Sequence, residues 1–83
     1  MWSVRWSTTA TKGLRKIEPE EQRVRIVDAV DIFASTGRGD VKKLRGSEGE
    51  YRLRVGSYRI RFAADTAEQR LDILRVSHRQ DGY

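Results

Sequence analysis

The chain has no cysteine, a single proline and a single histidine in 83 residues. Without cysteine there is no disulfide staple and no thiolate metal site. One histidine leaves a conventional zinc site short of ligands, so neither a metal nor another cofactor is expected. No apolar run approaches the length that crosses a bilayer, and the N-terminus lacks the apolar stretch of a signal peptide. The expectation is a cytoplasmic protein with no membrane partner. At this length it is one domain over residues 1–83, with one modest core.

Charge is what the chain has in quantity. Lys and Arg number 17 against 12 Asp and Glu, a net charge of +5. The excess is uneven. Residues 1–37 are nearly balanced, with Arg5, Lys12, Arg15, Lys16, Arg23 and Arg25 against Glu18, Glu20, Glu21, Asp28 and Asp31. From Lys42 to Arg61 the cations are Lys42, Lys43, Arg45, Arg52, Arg54, Arg59 and Arg61, against only Glu48 and Glu50. Positive charge gathered on one part of a fold points to a phosphate-rich partner. Arginine dominates here, and its planar fork suits bidentate phosphate contacts. The plainer alternative is that basic residues keep a small domain soluble.

The segment Glu50 to Phe62 carries the strongest pattern. Tyr51, Leu53 and Val55 alternate with Arg52 and Arg54; Tyr58, Ile60 and Phe62 alternate with Arg59 and Arg61. Period-two alternation predicts strands with one apolar and one polar face. Gly56-Ser57 between them predicts a two-residue type II′ turn with Gly56 at positive φ. The hairpin then shows its arginines on one face and its apolar residues on the other. Guanidiniums so crowded repel each other, which is tolerable where an anion is meant to sit.

Trp2, Val4 and Trp6 alternate with Ser3 and Arg5, predicting a first strand whose aromatic face packs in the core. Thr8-Thr9 is a candidate helix cap before a short helix bearing Ala10, Leu14 and Ile17, weakened by Gly13. Pro19 and the acids around it open a second helix, with Val24, Val27, Val30 and Phe33 or Ala34 as its core stripe, Ile26 flanking, and Gly37 at its end. Val41 to Arg45 predicts a short basic strand. Leu71 to Val76 predicts a last strand, apolar enough to be central. The fold expected is α+β: an N-terminal strand and two helices packed on one face of a mainly antiparallel sheet of four to five strands. The arginine face stays open. The tripeptide Arg38-Gly39-Asp40 is taken as chance.

Three stretches resemble the RelE/ParE toxin superfamily: Lys43-Leu44-Arg45-Gly46, Tyr51-Arg52-Leu53-Arg54-Val55-Gly56-Ser57-Tyr58-Arg59-Ile60, and Leu74-Arg75-Val76 with His78-Arg79 and Tyr83. The order of elements is similar across essentially the whole chain. The resemblance implies a single RelE-like domain, the toxin of a type II toxin–antitoxin pair. RelE-like toxins enter the ribosomal A site and cut mRNA; ParE-like toxins share the fold, inhibit DNA gyrase and lack the nuclease residues. Arg59 matches the family's phosphate-stabilising arginine, Arg79 its second catalytic arginine, and Tyr83 its C-terminal tyrosine, at a shorter interval after Arg79. Arg52 and Arg54 stand where the family has lysines, one of them a proposed general base. Arginine does not give up its proton, so Arg54 can orient and neutralise phosphate but is a poor base. The implied partners are a cognate antitoxin, the ribosome and mRNA. A ParE-like gyrase inhibitor and a catalytically degraded nucleic-acid-binding module are the alternatives.

RNA can supply its own 2′-hydroxyl as nucleophile, so neither a protein nucleophile nor a metal is required. The protein must hold geometry, accept a proton, stabilise the phosphorane and protonate the 5′-oxygen. Arginines on adjacent strands can furnish the charge stabilisation, and the resemblance points to Arg59, Arg79 and Arg54 for it. Arg52, Arg61, Lys43 and Arg45 are candidates for phosphate binding. His78 is a possible acid or base, set against a plain structural role. Tyr83 can stack, orient or donate a proton, and Glu50 is a distant candidate base. On a strand, His78 and Arg79 should point opposite ways unless a bend or bulge intervenes.

Overall fold

The computed structural model describes residues 2–46 and 49–79. The elements are β1 (Ser3–Trp6), α1 (Thr8–Arg15), α2 (Glu20–Thr36), β2 (Asp40–Lys43), β3 (Glu50–Val55), β4 (Tyr58–Asp65) and β5 (Arg70–His78). The strands form one five-stranded sheet in the order β1-β5-β4-β3-β2. β1 runs parallel to β5, and every other pair is antiparallel. Two helices on a mainly antiparallel sheet with an N-terminal strand is the expected class. β5 lies between β1 and β4, with β4 at the centre of the sheet.

The helix boundaries have local causes. α1 is capped by Ser7 and not by the threonine pair: its Oγ accepts from the Ala10 N–H at 3.0 Å and its hydroxyl donates to the Leu74 carbonyl at 3.1 Å. One side chain thus caps the helix and ties it to β5. Gly13, which costs helix propensity, is needed for packing. A Cβ there would lie 2.7 Å from the Val76 carbonyl oxygen, so only glycine lets α1 settle on β5. α2 ends at Gly37, left-handed at φ +77°, as the sequence suggested.

The core stripe of α2 keeps the expected Val30 and Ala34 and departs from expectation at its start, where Ile26 replaces Val24. Ile26, Val30 and Ala34 are buried, with Ala29 and Phe33 packed beside them. Val24, expected inside, is 51% exposed. The two choices differ by about half a turn of register at the helix start, and a helix rich in valine and isoleucine all round does not announce which arc is buried. The sheet supplies the other half of the core through Leu53, Val55, Ile60, Phe62, Leu71, Ile73 and Val76. Trp2, Val4 and Trp6 pack against it half-buried, in keeping with the core role expected of them.

Two irregularities set the strand faces. Gly56 has φ +59° and Ser57 is not left-handed, as a type II′ turn requires. In β5, a register shift opposite Arg61 and Phe62 leaves Leu74 as an extra residue, Arg61 facing Arg75 and Phe62 facing Ile73. The bulge explains why β5 does not alternate in sequence. Leu71, Ile73 and Val76 share the helix side only because the bulge re-phases the strand between them. Among the described residues, no helix is long and apolar enough to cross a membrane.

Candidate nucleic-acid interface

The register gathers the basic residues on the sheet face away from the helices. Arg52 is directly opposite Arg61 and Arg54 opposite Arg59. Lys42 pairs with Arg52, and Arg61 with Arg75. Ser77 faces Arg59 from the next strand. Since paired residues point to the same side, Lys42, Arg52, Arg54, Arg59, Arg61 and Arg75 form one cationic surface across four strands. The hairpin pattern predicted its middle. Lys42 and Arg75 were missed, because the phase of β2 and the bulge in β5 are needed to place them.

Among the described residues, two carboxylates pair with arginines of this surface. Asp40 lies 2.9 Å from the Arg54 Nε, and Glu50 lies 2.7 Å from the Arg61 Nε. Both pairs are substantially open to solvent, with the arginine side chains 56% and 43% exposed, so they orient the guanidiniums without closing the surface. Asp40 opens β2, opposite Arg54. Arg52 is held lower. Its Nε is buried and has no hydrogen-bond partner among the described residues. A buried guanidinium nitrogen in that condition is costly unless an acceptor comes to it, and a phosphate oxygen supplies one.

Four predicted residues fall elsewhere. Lys43 pairs with Tyr51, so it sits on the helix side of the edge strand and not beside Lys42. The basic run was placed one residue out of phase, and a one-residue shift flips the face. Arg45 is exposed in the turn after β2. His78 pairs with Tyr58, on the side opposite Arg59, and stacks edge-on against its ring at 5.1 Å. The bulge lies upstream of His78 and does not turn it toward the arginines. Arg79 follows the end of β5, exposed, with its N–H donating to the Ser57 carbonyl at the hairpin tip at 2.8 Å. That bond brings Arg79 to the Arg59 end of the hairpin. Tyr83 lies outside the described residues.

The same sheet face changes character toward β1. Arg70 donates to Asp72 at 3.0 Å and to Asp65 at 3.2 Å, and Arg5 donates to Asp72 at 3.0 Å. The hydrogen bond from Arg70 holds the Asp72 carboxyl below its ordinary range; partial burial opposes this and the Arg5 charge reinforces it. Arg70 is pushed upward by the same bond. Here cations and carboxylates neutralise each other.

The architecture and sequence agree with a known group of proteins. The family model described as the ParE toxin of type II toxin–antitoxin systems matches residues 4–83. Toxin RelG of Mycobacterium tuberculosis is 34% identical over 91 residues, covering 99% of this chain and 95% of its own length. Among solved structures, the RelB–RelE antitoxin–toxin complex of Methanococcus jannaschii contains a chain 27% identical at a TM-score of 0.77, with 93% and 92% of the two chains covered. The RelE–RelB complex of Pyrococcus horikoshii gives 25% identity and a TM-score of 0.79 over 94% of each chain. A sheet of this topology, a hairpin of this arginine pattern and a family match over nearly the whole length place the chain in the RelE/ParE superfamily, as a toxin of the type II toxin–antitoxin class.

Proposed function

We propose that this toxin inhibits translation by cutting mRNA on the ribosome, with the substrate's own 2′-hydroxyl as nucleophile. The observation that carries the proposal is the open surface where Arg52, Arg54, Arg59, Arg61 and Arg75 stand in register opposite the helices. A scissile phosphate over Arg59 meets preorganised positive charge where the phosphorane's charge develops. Arg54 faces it from the adjacent strand, and Arg79 approaches from the hairpin tip. The 2′-oxygen bonds to phosphorus, the bond to the 5′-oxygen breaks, and a 2′,3′-cyclic phosphate results. No metal is needed for that displacement. Arg54 cannot accept the 2′-proton. Asp40 and Glu50, beside Arg54 and Arg61, can, and Tyr83 or a ribosomal group protonates the leaving oxygen. His78 stands on the other side of the sheet.

An antitoxin partner follows from the class, and the solved relatives above are antitoxin–toxin complexes. A flexible acidic segment that folds on binding would suit the arginine face and mask it. A second reading is a gyrase inhibitor that does not cut RNA, favoured by the match to the ParE family model and by arginine at the lysine positions. Pulse expression followed by parallel translation and DNA-supercoiling assays separates the two. Rapid loss of translation with cut mRNA supports the first. Loss of supercoiling with intact mRNA supports the second. Cleavage that persists when the cut site carries a 2′-deoxy sugar rules out attack by the 2′-hydroxyl.

A further inference from the structure

The arginine face does not end at β5. β1 pairs only with the first part of that strand, Arg70 to Ile73, so the edge beyond it is left to α1. Between α1 and this edge lies a cleft of about 770 Å³, lined by Lys12, Lys16, Arg75, Ser77, Tyr58 and His78 among others. Gly13 sets its depth by letting the helix approach the Val76 carbonyl. Lys12 and Lys16 are one helical turn apart, so they share a face of α1. Neither they nor Arg75 forms an ion pair among the described residues, and Glu18 is the one carboxylate lining the cleft. Arg75 belongs to both surfaces: it stands opposite Arg61 on the sheet and lines the cleft at its edge.

We infer that this cleft is a second phosphate-binding site, taking the backbone of the same RNA strand as it leaves the arginine face. The inference rests on the RNA-binding reading above and extends it. Arg61, Arg75 and then Lys12 and Lys16 make a continuous cationic path from the sheet to the helix. The edge-on Tyr58–His78 pair offers a ring surface to a base beside that path. Contacts of this kind add affinity without reading sequence. They would hold the strand in line while Arg59 acts on one phosphate.

The test uses 2′-O-methyl oligoribonucleotides, which cannot be cut through a 2′-hydroxyl, so it stands even if cleavage fails in the assays above. Binding of a three-residue and a ten-residue oligomer is measured against salt for the parent chain, for Lys12→Ala/Lys16→Ala and for Arg15→Ala. Arg15 lies on α1 but lines a different cavity, toward α2. The parent should gain affinity with length, and the lysine variant should lose that gain. Its log–log salt slope for the long oligomer should be shallower by about 1.4, from two phosphate contacts at about 0.7 each on a single strand. Arg15→Ala should keep the parental slope and length dependence. A lysine variant with the parental slope overturns the inference, as does a parent that ignores length or does not bind. An equal loss in Arg15→Ala overturns it too, by assigning the effect to overall charge. Far-ultraviolet circular dichroism confirms that the variants, changed only at exposed side chains, stay folded.

Discussion

Arg52 and Arg70 lie on the same face of the same sheet, both half-buried, and they are used differently. Arg70 is held between Asp72 and Asp65, and Arg5 completes the cluster. Among the described residues Arg52 forms no ion pair, and its cross-strand neighbours Lys42 and Arg61 are both cationic. Around Arg70, two arginines meet two aspartates. Around Arg52, among the described residues, Lys42, Arg54, Arg61 and Arg75 share the face with Asp40 and Glu50. The residue type and the alternation are alike in the two regions. The partner across the strand differs, and it decides whether an arginine holds the sheet together or waits for an anion.

Substitutions can break this division, beginning with catalysis. Arg59→Ala and Arg79→Ala should each lower the rate of RNA cleavage about 10²-fold or more on programmed ribosomes, the scale expected when a preorganised charge donor is lost at a transition state. Arg5→Ala, at the neutral end, should leave the rate near that of the parent. Equal losses at both ends would erase the distinction.

Binding should divide in the same way. Arg52→Ala should make the salt dependence of RNA affinity shallower by about 0.7, while Arg70→Ala should leave the slope alone. Stability should divide in reverse. Arg70→Ala removes the cation between two aspartates and should lower the melting midpoint, though only by a few degrees, since partly exposed ion pairs contribute little. Arg52→Ala should leave the midpoint unchanged or raise it, because it relieves repulsion on the cationic surface. A thermal melt of the two variants side by side checks both signs.

The smallest effect is in pH. Asp72 titrates lower in the folded chain than its ordinary value of 3.8. Its contribution to stability is therefore fully present above that value and is lost as the pH falls through the lowered folded pKa. Asp72→Asn should flatten the melting midpoint's dependence on pH in that acid window and leave neutral pH behaviour otherwise similar to a simple loss of the cluster. A parent and variant with parallel acid profiles would show that the cluster is not coupled to folding.

Much of this was legible in the chain because it is local. The hairpin could be read because tyrosine, leucine, valine, isoleucine and phenylalanine alternate strictly with arginine, and because Gly56 supplies a backbone conformation that few other residues adopt. The N-terminal strand and the end of α2 at Gly37 follow from equally short-range rules. The arginine face itself is a consequence of period-two geometry. Similarity to the superfamily is what singled out Arg59 and Arg79 as a pair.

The remaining features needed neighbours distant in sequence. Which arc of α2 is buried was decided by the sheet it packs on, so Ile26 went inside and Val24 outside although either stripe is apolar. The phase of β2 was fixed by pairing Asp40 with Arg54, which put Lys42 on the cationic face and turned Lys43 away. The bulge at Leu74 re-phased β5, bringing Arg75 beside Arg61 while His78 stayed with Tyr58. Gly13 read as a weak point in a helix until Val76 came within reach of it. Alternation and turn chemistry act between adjacent residues and are written in the chain; face, phase and the partner of each charge are set by contacts between strands and helices, which exist only once the sheet has formed.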